Sequence, residues 1–416
     1  MIAMTRALTP MLAAVLAAGM ASACGKAPRS ATSNQLDRAI AFFELRLEDR
    51  PGDILTPGAL ADRYMMRFGR DRNIDDVTRA ESVLQQGLDR LPEHPSFVAR
   101  MTAVHIARHE FPEALDAARW AWARTQRASA NGPLFDAWFE VGQYDSAAAA
   151  LNRMNPNTFS YLIRRARFAE QLGDLDTATR AIARACRADE ARANTLGAWC
   201  AVRQGTIDAA NGSWKRAAEL FHFALEEIPE YPPAIAGLAA SELGRGNLSA
   251  AHDLYDRLTR VPGGAEAYLF LARIAEMRGD TGQAGRHRKA FEDRTEDARY
   301  GRGYWSHRAR LFAQQGRIDS ALVLAEKDLE QRPGPEAYHT LAVVLLAAGR
   351  AADAQEAMTR VFTWGPGGPE ALYHAGLIAL ANGRAREGHE YLQWALNDPA
   401  GLSPDYAAIA RAATTD

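Results

Sequence analysis

The chain of 416 residues is short of several things, and each shortage excludes something. It has three cysteines, too few for a disulfide framework. β-Branched residues are sparse, which argues against sheets. No apolar run reaches the roughly 20 residues that a bilayer span needs, so an integral membrane protein is not expected. Neither sign of charge prevails: 49 basic and 51 acidic residues leave a formal net charge of −2. That balance gives no general attraction to nucleic acid or to an anionic membrane. There is no G-x-S-x-G, no P-loop and no H-E-x-x-H, so neither an enzyme nor a bound cofactor is expected.

What is abundant is alanine, within a hydrophobic fraction of 47% that is ample for a core of closely packed helices. The first residues stand apart. Residues 1–23 place Arg6 before an apolar run from Met11 to Met20, and Ala21-Ser22-Ala23 then precedes Cys24. This is the order of an export signal. Ala-Ser-Ala-Cys resembles the bacterial lipobox, whose cysteine becomes the lipid-bearing first residue of the mature protein. It departs from the usual pattern in having Ala21 where leucine is commoner. The same residues suit ordinary signal peptidase, which leaves Cys24 as a thiol. Residues 24–34 are small and polar, as a tether is. Gly25 does not resemble an inner-membrane retention signal, so an outer-membrane anchor facing the periplasm is expected. Of the remaining cysteines, Cys186 and Cys200, two small buried thiols are the simpler expectation and a single bridge the alternative.

The rest of the chain repeats itself. Pro335–Ala354 reads PEAYHTLAVVLLAAGRAADA, and 34 residues later Pro369–Gly388 reads PEALYHAGLIALANGRAREG. The glycine break inside each unit recurs at Gly142, Gly173, Gly212, Gly246, Gly279, Gly316, Gly349 and Gly383. A small residue follows each break by five positions: Ala147, Ala178, Ala217, Ala251, Ala284, Ala321, Ala354 and Gly388. A period near 34 with this punctuation is the pattern of paired antiparallel helices. Small residues on the first helices (Ala166, Ala239, Ala272, Ala309, Ala342, Gly376) let each pair approach to about 8 Å. Proline then ends the second helices at Pro229, Pro262, Pro333 and Pro366.

These positions resemble the tetratricopeptide repeat family, most specifically from Ala198 to Leu396. Gly205, Gly212, Trp214, Ala217, Ala224 and Pro229 stand at the family's small, Gly, aromatic, Ala, Ala and Pro positions. The resemblance implies an all-α fold, a right-handed solenoid of about ten helix pairs. Residues 35–157 carry divergent repeats, 158–397 regular ones, and 398–416 a capping helix and tail. It also implies that first helices line a concave groove where a partner protein lies. The groove positions are Arg164, Arg167, Arg203, Phe270, Arg273, His307, Arg310, His339, Tyr373 and His374. Arginine and aromatic residues there suit an acidic or carboxylate-ended segment, although a solvated face is an equal reading. The family's Lys/Asn carboxylate clamp is missing, so a chaperone C-terminus is not implied.

Two metal readings are weak. His105 and His109, four apart, make half a site, and His109 falls in a turn. His307, His339 and His374 form a ladder whose repeat spacing holds them too far apart for one ion, with no acidic residue to complete the set, so no metal is expected. The expectation is therefore a non-enzymatic interaction scaffold, exported and lipid-anchored through Cys24. The alternatives are a soluble secreted binding protein of the same fold, or a receptor for a small ligand or metal using groove His and Arg residues.

Overall fold

The computed structural model describes residues 31–187, 196–297 and 301–414. The expected signal, Cys24 and most of the expected tether lie outside the described residues. Helix α1 begins at Ala31, so the last residues assigned to the tether are helical (Ala31–Asp49).

Ten helix pairs follow α1 among the described residues. They are α2 (Thr56–Asp71) with α3 (Ile74–Arg90), α4 (Pro95–Ala107) with α5 (Phe111–Thr125), and α6 (Asn131–Glu140) with α7 (Tyr144–Asn152). Then come α8 (Phe159–Gln171) with α9 (Leu175–Arg187), α10 (Leu196–Ala210) with α11 (Trp214–Glu227), and α12 (Pro232–Gly244) with α13 (Leu248–Thr259). The last four are α14 (Glu266–Met277) with α15 (Thr281–Thr295), α16 (Trp305–Gln314) with α17 (Ile318–Gln331), α18 (Pro335–Ala347) with α19 (Ala351–Phe362), and α20 (Pro369–Ala381) with α21 (Ala385–Asn397). Helix α22 (Pro404–Ala413) closes the end and packs Tyr406 and Ala410 on Leu392 and Ala395. The chain is an all-α solenoid of helix–turn–helix repeats.

The repeat chemistry works as its residue types require. Ala166, Ala178, Ala239, Ala251, Ala309, Ala321, Ala342 and Ala354 are wholly buried where paired helices cross. Gly376 and Gly388 take this role in the last pair, where a Cβ on either would lie 3.0 Å from the other's carbonyl oxygen. The eight glycine breaks all have φ between 72° and 79°, the left-handed region that ends a helix without steric penalty for glycine. In the first two pairs the same turn is made by Arg72 (φ 60°) and His109 (φ 57°), which explains why the glycine pattern fades there.

First and second helices differ in burial. Helix α12 buries ten residues around its circumference, whereas its partner α13 buries only Ala251, Tyr255 and Leu258. A helix buried all round lies inside, and one with a single apolar stripe lies on the surface. The first helices are therefore the inner layer.

The interior is closed because the superhelix winds tightly. Five consecutive mid-repeat turns of the first half touch five connections of the second half. The pairs are Arg72 with Gly263, His109 with Gly303, Gly142 with Pro333 and Gly334, Gly173 with Pro366, and Gly212 with Pro399. Each pair is separated by about 190 residues, between five and six periods of a 34-residue repeat. One superhelical turn is thus completed in that distance, and the next turn sits directly upon it. The contacts are sterically matched. Where the lower turn carries a side chain, at Arg72 and His109, the upper turn supplies glycine; where the upper turn brings proline, the lower turn supplies glycine. A Cβ on Gly142 would lie 2.8 Å from the Pro333 carbonyl oxygen.

The two remaining cysteines form a disulfide, Cys186 to Cys200, with Cα atoms 6.0 Å apart, within the usual range. This corrects the expectation of two thiols. The C-terminal end of α9 and the start of α10 face each other across the repeat boundary, a juxtaposition that spacing along the chain does not reveal.

Candidate functional site

In the first half the inner face carries a series of arginines, each held by a carboxylate of the preceding inner helix. Arg164 on α8 is 2% exposed and lies against Asp136 of α6 through two parallel bonds, Nε to Oδ1 at 3.0 Å and Nη2 to Oδ2 at 2.5 Å. Arg167 donates Nη2 to Glu140 of α6 at 2.6 Å and lies over the Phe139 ring at 4.1 Å. Arg203 on α10 pairs with Glu170 of α8. Arg100 on α4 repeats the bidentate arrangement on Asp62 of α2, at 2.9 and 3.0 Å. The basic stripe expected from the groove positions is therefore, in this half, a ladder of neutralised pairs, and Arg164, Arg167 and Arg203 are buried rather than solvated. The physical reason is closure: a guanidinium taken out of water needs a carboxylate beside it.

Not every nitrogen in that ladder is satisfied. Nε and Nη1 of Arg167 and Nη1 of Arg203 are buried without a hydrogen-bond partner among the described residues. Arg167 borders a cleft of about 1180 Å³, part of it open to solvent, between the two turns. Phe111, Phe139, Tyr144 and Trp364 give the cleft an aromatic lining, and Arg332, Glu140, Glu336, His339 and Glu370 add charge and polarity. Arg332 binds Asp328 at 2.8 Å and Glu336 at 3.0 Å. Burial pushes the Tyr144 phenol above its usual range. His109 is held down to about 3, by burial first and then by the Arg332 charge, so it is neutral near pH 7.

The second half arranges its groove residues differently. Arg273 on α14 reaches to the capping helix, with Nε 2.6 Å from Asp405 and its guanidinium 4.1 Å from the Tyr406 ring centroid. Tyr373 stacks on the same Tyr406 at 4.5 Å. Phe270 does not face the channel; it stacks at 4.4 Å on Tyr255 of α13, the outer helix of the preceding repeat. Arg310 on α16 passes over the neighbouring inner helix to Glu370 of α20, Nη1 to Oε1 at 3.0 Å, and donates on the way to Thr340 and to His339 Nδ1 at 3.2 Å.

The histidines depart from the expected ladder. His339 Nε2 and His374 Nδ1 are 3.0 Å apart, so adjacent repeats do bring them within reach of one another. Glu370 supplies the acidic residue thought missing: ligand atoms of His339, Glu370 and His374 all lie within 4.8 Å of one another, and all three residues are buried. Burial holds the His374 ring down to about 4 and lowers His339 well below its usual value. His307 stands apart, 3.6 Å from Glu266. His105 pairs with Glu110 at 2.8 Å, and among the described residues it forms no three-residue ligand cluster with His109. Glu370 was legible in principle, since it lies four residues before His374 on one helical face.

No curated protein matches the chain. Solved structures similar to it include a tetratricopeptide repeat protein from Parabacteroides merdae ATCC 43184, at 19% identity over 62% of this chain and 99% of that one, with a TM-score of 0.37. Human IFIT1, solved as a dimer with PPP-AAAA, is 14% identical over 86% of this chain and 94% of that one, with a TM-score of 0.45. Yeast Tom70 is 12% identical over 92% and 93%, with a TM-score of 0.35. Within the sequence itself, residues 208–274, from the end of α10 to α14, match the family model described as a tetratricopeptide repeat.

Proposed function

We propose that this protein is a non-enzymatic scaffold that takes a segment of a partner protein into the cleft between its two superhelical turns. The observation that carries the reading is the Arg167 side chain. It is 5% exposed, it borders an aromatic-lined cleft, and two of its guanidinium nitrogens lack a partner among the described residues. Such a group favours an acceptor-rich guest, and a segment bearing a carboxylate answers both the charge and the aromatic walls. Arg164, by contrast, belongs to the frame: its bonds to Asp136 and to the Ser160 carbonyl occupy it.

The scaffold is exported and tethered to the envelope by a lipid on Cys24, at the outer membrane facing the periplasm. The Cys186–Cys200 bridge supports export, because disulfides persist in oxidising compartments. The test uses a photo-crosslinking residue at Trp364, inside the cleft, and at Phe223, exposed on the outer helix α11. A defined adduct from position 364 that is weakened in Arg167→Ala, with none from 223, fits the reading. Adducts from position 223 alone would place the partner on the outside and overturn it. Intact mass of the native protein beside Cys24→Ser tests the anchor: a diacyl or triacyl increment on Cys24 is expected, and an unmodified Cys24 terminus would remove it.

A further inference from the structure

We propose that His339, Glu370 and His374 form a three-residue site for a divalent transition-metal ion at the floor of the cleft, with Arg310 as the cation that competes for the same place. The residues come from two neighbouring inner helices. Glu370 and His374 are four apart on α20, one above the other on a single face, and His339 meets them from α18. Two imidazole nitrogens bound to one tetrahedral ion at about 2.0–2.1 Å stand about 3.3 Å apart. His339 Nε2 and His374 Nδ1 are 3.0 Å apart, so the two imidazoles need to move by only a few tenths of an ångström, while the Glu370 carboxylate, within 4.8 Å, swings in from Arg310 to complete the set. Imidazole with carboxylate suits zinc, cobalt or nickel rather than calcium or magnesium.

Among the described residues, no single tautomer pair satisfies all three ring contacts around the cluster. Three contacts run in a chain: Arg310 Nη2 to His339 Nδ1 at 3.2 Å, His339 Nε2 to His374 Nδ1 at 3.0 Å, and His374 Nδ1 to the Glu370 carbonyl oxygen at 2.9 Å. A neutral imidazole has one N–H and one lone pair, and the guanidinium can only donate. If His339 Nδ1 accepts from Arg310, its proton is on Nε2, His374 Nδ1 must accept, and the Glu370 carbonyl then faces a lone pair. If His374 Nδ1 instead donates to that carbonyl, His339 Nε2 must accept, and its Nδ1–H meets the Arg310 N–H. No tautomer pair satisfies all three contacts. An ion between the two nitrogens takes both lone pairs and sets a cation, not a lone pair, near the carbonyl.

Arg310 is the other half of the device. Metal on His339 Nε2 puts the ring proton on Nδ1, so the guanidinium must withdraw from that nitrogen as the ion enters. Arg310 also binds the Glu370 carboxylate at 3.0 Å, the very group that the ion would take. His339 and Glu370 both border the cleft, which gives the ion a way in and leaves a coordination position facing the cleft. This inference is independent of whether a protein segment also lies there.

The experiment is titration of the purified full-length protein, first treated with chelator, with cobalt(II) chloride, followed by visible absorption. One saturable equivalent with the d–d bands of a low-coordinate nitrogen and oxygen site is expected, lost on adding zinc chloride. His339→Gln with His374→Gln should weaken binding at least about 100-fold, while His307→Gln leaves it unchanged. Circular dichroism melting establishes that each variant is folded. Arg310→Ala should tighten cobalt binding about tenfold by removing the competing charge. The proposal fails if the folded wild type binds no cobalt at millimolar concentration, if the double variant retains it, or if folded Arg310→Ala binds no better than wild type.

Discussion

The two halves of the inner layer solve the same problem in different ways. In the first half each arginine reaches back one repeat: Arg100 to Asp62, Arg164 to Asp136, Arg167 to Glu140, Arg203 to Glu170. In the second half Arg310 passes over a whole repeat to Glu370, and Arg273 crosses to Asp405 on the capping helix. Between them lies α12, whose inner face is apolar and carries no ion pair of this kind among the described residues. Adjacent rungs tie neighbouring repeats and set their spacing. Longer pairs tie the wall of the channel to itself and to its lid. The first half is therefore a stiff stack, and the second half holds its shape through contacts that a ligand could replace.

The largest effect should come from breaking the stack. Asp136→Ala leaves the Arg164 charge buried and unpaired, and should cost about 3–5 kcal/mol in urea unfolding. Replacing both partners, Arg164→Met with Asp136→Leu, should recover most of that loss. If the single variant costs no more than a surface pair, of about 1 kcal/mol, the ladder is not what holds the first turn.

Next comes the covalent link in the same half. Changing both Cys186 and Cys200 to serine opens a short loop and should lower stability by about 3 kcal/mol, read as a fall in melting temperature. Reductant should lower the wild type to match and leave the variant untouched. Equal melting of all samples would mean that the thiols are not bridged.

A smaller loss is expected in the second half. Asp405→Asn removes the charge that Arg273 meets at the partly exposed capping helix and should cost about 1 kcal/mol. Hydrogen exchange should rise in α22 and not in α8. Protection lost equally in both would erase the contrast between the halves.

The smallest effect at neutral pH, and a sharper one in acid, belongs to His109. Its folded pKa of about 3 lies below the ordinary 6.5, so on acidification the unfolded chain takes up the proton first. The stability that this residue contributes is complete above about pH 6.5 and is lost as pH falls toward 3, by at most about 1.4 kcal/mol per pH unit. His109→Asn keeps a residue that tolerates φ of 57° and removes the titration. The variant should match wild type at pH 7 and lose less stability between pH 6 and 4, measured by urea midpoints. An unchanged acid slope would show that His109 does not titrate in this window.

Much of this architecture was written in residue types. The glycine breaks, the facing alanines and the terminal prolines located the repeats, and residues 398–416 read as a capping helix and tail, because each of these is a local rule. Closure was not legible. It depends on the summed rotation of successive repeats, a small angle per unit that no single residue carries. That is why Arg164, Arg167 and Arg203 read as an open groove face, for a partner or for solvent, and proved to be buried. A signal was available: Asp136, Glu140 and Glu170 each precede their arginine by close to one repeat, 28, 27 and 33 residues. Opposite charges at one period mark a rung. The histidines were misjudged for a similar reason, since the distance between His339 and His374 depends on how far neighbouring inner helices converge.

The stacked turns also fix how many repeats the chain can have. In an open solenoid a unit can be gained or lost, because each touches only its neighbours. Here the lower turn meets the upper one as the teeth of two racks meet, and the match is particular to each tooth. Deleting one helix pair between α6 and α16 would advance the upper rack by a notch, setting the Gly303 connection against Arg72 and bringing Pro333 against His109, where a side chain already fills the space. Repeat number in this protein is thus an integer held by steric phase, and a copy added or removed should unwind the second turn rather than lengthen or shorten it.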